Sequence, residues 1–276
     1  MFSTRELPAD LEAVRSTHAP GTPVVDADAD FETIPPAAAE DLGLLVGRLD
    51  PASYPTEWLP DDAPTVLYRY CGSEFTVGMP GDGTVVWTDQ TVPETVICKR
   101  RGEHTPDDFL AFLIARALVE IGAEAPDGTP VPEHFLPFFG ERYRDLDAAI
   151  RGTDALGEPG PADVYQIANA LFDAWTGLVT RETFATWEGD HDRLHDAWRD
   201  AGERLTGRLE ALPGRIARGE TDFASATEYA CSAVRHGLDL PTPFAALDAS
   251  VYLEHGPDYA VAWTERTLDA LDADVP

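Results

Sequence analysis

No stretch of this chain alternates like a strand after residue 162. From Asp163 onward, apolar residues return every three or four positions, which is the helix period. DVYQIANALFDAWTGLV, 163–179, predicts one helix. RETFATWEGDHDRLHDAWRDAGERLTGRLEAL, 181–212, predicts a long one with Thr180 as its N-cap. In that long segment Phe184, His191, Trp198, Leu205 and Leu212 recur every seven residues, and Trp187, Leu194 and Ala201 fill the intermediate positions. This is the seam of packed bundle helices. Helices over 222–237, 243–255 and 257–272 follow, the last opened by Pro257. The half is expected to be an all-α bundle.

The first half reads differently. Helices are expected over 5–17, 36–50, from Thr105 to a stop at Gly122, and near 141–151. The helix after Thr105 has the broad apolar side of one that covers a sheet. Between them VLYRY, EFTVG, TVVWT and ETVICK, within 66–99, are short and rich in β-branched and aromatic residues. They predict an antiparallel meander of three or four strands, with Val85 and Trp87 on one face of TVVWT. The Pro-rich PASYPTEWLPDDAP, 51–64, carries a Trp and a Tyr and is expected to pack back onto its domain. The fold class is α+β, a small antiparallel β-meander with covering helices followed by a helical bundle. The Gly- and Pro-rich GTDALGEPGPAD, 152–163, places the boundary between a domain of 1–155 and one of 156–276.

The three glycines of Gly78-Met79-Pro80-Gly81-Asp82-Gly83 raise the question of a phosphate loop. Such a loop works because a helix follows it and presents free N–H groups. Here a strand pattern follows, so the segment is expected to be a hairpin turn. No nucleophile elbow, H-E-x-x-H, dinucleotide fingerprint or C-x-x-C is present. No cofactor is expected.

Charge limits the partners and the solvent. Fifty Asp and Glu face 20 Lys and Arg, a net charge of −30, and Lys99 is the one lysine. Residues 1–160 hold 29 acids and 11 bases (−18), and 161–276 hold 21 and 9 (−12), so no acidic tail accounts for the excess. Dense carboxylates stop repelling one another where the Debye length falls to about 3 Å, in molar salt. A salt-adapted protein is expected, with no nucleic-acid partner, because the single basic run Lys99-Arg100-Arg101 reads as a charged strand end. No membrane partner is expected either. A protein partner or homo-oligomer is. Three isolated cysteines and the absence of a signal-peptide core at the N-terminus point to the cytoplasm. The stretch SYPTEWLP … FTVGMPGDGTVVWT, in its acidic and lysine-poor context, resembles an uncharacterised family of halophilic archaeal proteins of unknown function. The resemblance implies habitat and compartment and carries no catalytic residue with it.

One constellation carries possible chemistry. Glu188 and His191 form an E-x-x-H pair, His195 follows one turn later, and on a continuous helix the three share a face. A carboxylate and two imidazoles so placed suit a divalent metal. Against this, no second E-x-x-H occurs, and closing a site would take Glu228, His236 or His255 from another helix. The competing reading makes His191 a hydrogen-bonded histidine on the seam. The sequence favours a non-catalytic interaction or accessory protein, with a metal-binding protein or metal-dependent enzyme as the alternative.

Overall fold

The run Thr95-Val96-Ile97-Cys98 is buried along its whole length. A strand without an exposed face needs a layer on each side, and the fold supplies both. The structure, a computed structural model, describes residues 2–31, 33–47, 50–72, 85–89, 91–92 and 94–273. Its strands are β1 (Phe2–Thr4), β2 (Val24–Ala27), β3 (Asp50–Pro51), β4 (Val86–Asp89), β5 (Thr91–Val92) and β6 (Thr95–Cys98). A four-stranded sheet runs β1-β2-β6-β4, and β3 pairs with β5 separately. Its helices include α1 (Ala9–His18), α2 (Pro36–Val46), α3 (Thr65–Cys71) and α4 (Asp107–Ile121).

The chain divides into two compact units. One takes Met1–Thr56, Thr65–Glu124 and Thr183–Trp198, the other Glu57–Pro64, Ala125–Glu182 and Arg199–Pro276. The sheet lies in the first. Val24, Val96 and Cys98 pack with Leu11 and Val14 of α1 and the apolar side of α4, joined by Phe184, Trp187 and Leu194. Val25, Ala27 and Ile97 pack on the opposite side with Ala38 and Leu42 of α2. As expected, α4 covers a sheet face.

The α+β class holds, and the strand pairing is corrected. β2 runs parallel to β6, with Val24 paired to Val96, while β1 and β4 are antiparallel to their neighbours. The sheet is therefore mixed and not a meander. VLYRY is helical, within α3. Val66, Leu67, Tyr70 and Cys71 are buried at helical spacing, and this stripe decides the segment over its β-rich composition. TVVWT and ETVICK hold β4 and β6. EFTVG and the 78–83 turn lie outside the described residues.

The second unit is helical: α5 (Phe135–Phe139), α6 (Arg142–Arg151), α7 (Pro161–Ala185), α8 (Asp192–Ala217), α9 (Phe223–Val234) and α10 (Ser250–Ala273). The ends of α7 and α8 nearest their connecting turn belong to the first unit. Rings dominate the core: Phe138 lies 4.9 Å from Trp175, and Phe135 5.1 Å from Tyr165. The 57–64 loop packs back as its Trp suggested. Trp58 lies against Gly140, Arg144 donates to the carbonyls of Glu57 and Leu59, and Arg151 holds Asp62 through two 2.7 Å bonds.

The expected helix over 181–212 is two. α7 runs through Thr180, whose hydroxyl donates to the Thr176 carbonyl and caps nothing. The break falls at Gly189, with φ +89°, and Asp192 Oδ1 accepts the Gly189 N–H at 2.8 Å to start α8. The expected break at Pro257 is found, at Gly256 (φ +45°), inside α10.

Candidate functional site

The break at Gly189 decides the geometry of the histidine constellation. Glu188 is exposed and lies before the turn, off the helix that carries His195. His191 immediately precedes α8, half-buried, with its ring 6.1 Å from Trp187 in an edge contact. His195, in the first turn of α8, is the buried one, at 8% exposure, with its ring 5.6 Å from Trp198. The imidazole that bears on His191 is His18, at the end of α1, a residue that no sequence motif singles out. Burial, and secondarily the charge of His191, lower the His18 pKa. Glu228, His236 and His255 belong to the other unit. There Glu228 accepts from Gln166 at 2.7 Å, and the His236 ring sits close against Gly202. Among the described residues no three His, Cys, Asp or Glu side chains are grouped to hold a metal ion.

The second unit carries a groove of about 610 Å³ along α10. Tyr259, Trp263, Thr267 and Leu271 line it from α10, and Pro243 and Ala246 form the facing wall. Trp263 is 4% exposed and belongs to a cluster of rings with Phe223 and Phe244. The polar tips of the two groove aromatics are taken by the wall. Trp263 Nε1 donates to the Pro243 carbonyl at 3.3 Å, and the Tyr259 hydroxyl to the Ala246 carbonyl at 2.8 Å. The two rings thus present apolar surface to the groove, whose further lining includes Thr242, Thr267 and Arg266.

One charged side chain lines this groove, Arg266. Its Nε donates to the Ala262 carbonyl at 2.9 Å, and among the described residues no carboxylate pairs with it. Arg142, Arg151, Arg181, Arg193 and Arg235, by contrast, all meet carboxylates. Sequence reasoning passed over the groove. The available signal was the recurrence of Tyr259, Trp263, Ala270 and Leu271 after Pro257, with Arg266 the one arginine, and no lysine, beyond Arg235.

Residues 1–271 match the sequence family described as a family of unknown function, DUF7089. The chain belongs to that family. No curated protein and no solved structure matches it. The DUF7089 match spans the sheet-bearing first unit, the histidines around Gly189 and the α10 groove alike. It assigns none of them an activity.

Proposed function

We infer that this protein works by binding, as a non-catalytic interaction or accessory protein of a salt-rich cytosol. The observation that carries the reading is the apolar groove along α10, whose aromatic polar atoms are already bonded to its own wall. An apolar concave surface on so acidic a chain suits a partner's apolar group. The cytosolic part is supported by three free, buried cysteines. No described helix is long and apolar enough to cross a membrane. Against a nucleic-acid partner, Lys99 of the single basic run is 4% exposed and Arg101 faces Asp30 at 3.3 Å. The salt-adapted part rests on the net charge of −30.

A photo-crosslinking amino acid at Ala270, in the protein expressed in its source cells, tests the reading. An adduct absent from a control position on α8, Glu203, is expected. Identical adducts at both positions, or none, would remove the groove as a docking site.

A second reading keeps Glu188, His191 and His195 as metal-binding candidates. The observation in its favour is the third imidazole, His18, near His191. Stoichiometric zinc, iron or manganese in the purified protein, lost in both His191→Leu and His195→Ala, would promote it. A folded, metal-free His191→Leu variant with unchanged stability in chelator is the outcome expected from the binding reading.

A further inference from the structure

We propose that the α10 groove is a binding site for a small apolar monocarboxylate, its carboxylate held by Arg266 and the Thr267 hydroxyl; the proposal rests on the binding reading above and names the chemistry of what is bound. Two polar groups in the lining are uncommitted. Thr267 is 7% exposed and lines the groove. Its hydroxyl makes no hydrogen bond among the described residues, and it is not occluded. The other buried threonines of this unit, Thr153, Thr176, Thr180, Thr227 and Thr264, all donate to an oxygen of the protein. A hydroxyl placed as in Thr267 is satisfied from the groove. The second group is the Arg266 guanidinium. Its Nε is held by the Ala262 carbonyl on the preceding turn, and Nη1 and Nη2 have no partner among the described residues. Arg266 and Thr267 are consecutive and line the same groove.

These donors define the polar end of the ligand. A guanidinium repels a cation, its terminal N–H groups match a carboxylate, and the hydroxyl adds a further donor. Among the described residues one cation lines the groove, so one negative charge balances it. A phosphate dianion would bring a second charge to a chain of net charge −30. The rest of the ligand is apolar. The polar tips of Tyr259 and Trp263 are bonded to the wall, and Pro243 and Leu271 add carbon surface. A volume of about 610 Å³ is that of a small-molecule site.

Glu265 and Asp269, exposed on the same helix, repel an anion at long range. Molar salt screens that repulsion, because the Debye length is about 3 Å at about 1 M, while a carboxylate in contact with Arg266 is screened less. The site therefore belongs to high salt.

The probes are 2-naphthoate and octanoate, one flat and one a chain, titrated into the full chain in about 1 M KCl and followed by ligand-observed NMR. Saturable binding of at least one is expected, and its uncharged amide should bind about tenfold or more weakly. Arg266→Gln should weaken the carboxylate by a similar factor and leave the amide unchanged, a split that a merely structural effect would not give. Ala270→Trp, which fills the groove, should abolish both, and circular dichroism checks that each variant is folded. Saturable binding of neither probe overturns the proposal. So does an amide that binds as tightly as its acid, or carboxylate binding that Arg266→Gln or Ala270→Trp leaves unchanged. The crosslink at Ala270 separates the two levels. A groove-specific adduct in a protein that binds neither probe overturns the carboxylate and leaves the groove a docking site, whereas no such adduct and no probe binding removes both.

Discussion

Gly122 ends α4 with an ordinary backbone (φ −94°), so it is not there for a left-handed turn. A Cβ at this position would stand 1.8 Å from the His18 carbonyl oxygen, where the end of α1 crosses the end of α4. That a glycine stops the helix is readable in the sequence. That another helix needs the empty space is not, because the crossing partner is about a hundred residues away. Gly122→Ala should cost about 1–3 kcal/mol or more, since neither backbone can yield cheaply; a urea midpoint equal to the parent's would contradict this. His134 is a second residue whose role only packing reveals. Its Nδ1 accepts the Leu136 N–H at 3.2 Å at the start of α5, and burial pushes its pKa down to about 3. The unfolded chain takes up a proton near the ordinary 6.5 that the folded chain refuses, so stability is full above that pH and is lost as pH falls toward about 3. His134→Asn keeps an acceptor for the Leu136 N–H and should lose this slope. Melting curves of parent and variant that stay parallel from pH 7 to 4 would refute the assignment.

At the level of elements, two glycines with positive φ break what pattern alone would run together. Gly256, at φ +45°, was flagged in the sequence by Pro257, which cannot continue a helix. Gly189, at φ +89°, had no such neighbour, and the heptad spacing of Phe184, His191 and Trp198 ran straight across it. After the turn Phe184 and Trp198 still meet, their rings 6.5 Å apart, so the seam is real although its helix is broken. The two sites should respond differently to alanine. At Gly189 nothing lies within 4 Å of an added Cβ, and the cost should be the backbone's alone, about 1 kcal/mol. At Gly256 the Cβ would also meet Phe138 at 3.4 Å, and the cost should rise to about 1–3 kcal/mol. Equal urea midpoints for the two variants would show that the packing around Gly256 yields freely. The misread elements fail for a related reason. Composition made VLYRY look extended, yet four buried residues of α3 sit at helical spacing. The short β2 is held between β1 and the sequence-distant β6, and no local pattern reports the second pairing. The histidine constellation was legible as residues and not as geometry, because its shared face assumed a continuous helix.

Across the whole molecule, sequence order and compact units do not coincide. Residues 125–155 precede the Gly- and Pro-rich segment yet belong with α10, against which α6 packs. A fragment ending at residue 155 would leave Tyr143, Leu146 and Ile150, all buried in the intact chain, without that cover. It is expected to bind an apolar dye and to melt without a sharp transition; a cooperative melt would show that the segment marks a folding boundary after all. The charge excess acts on the molecule as one. With 50 acidic and 20 basic residues, self-repulsion should loosen the compact state at low ionic strength. Thermal midpoints by circular dichroism should rise between about 0.1 M and about 3 M KCl, and equal midpoints would refute salt adaptation. The acidic surface has a counterpart in its lone lysine. Lys99 is 4% exposed at the end of β6, so the folded chain offers solvent almost no side-chain amine. Acylating reagents should reach Lys99 only when the sheet-bearing unit opens. The rate at which its ε-amine is labelled then becomes a clock for unfolding, built into the sequence and readable by mass spectrometry without any engineered probe.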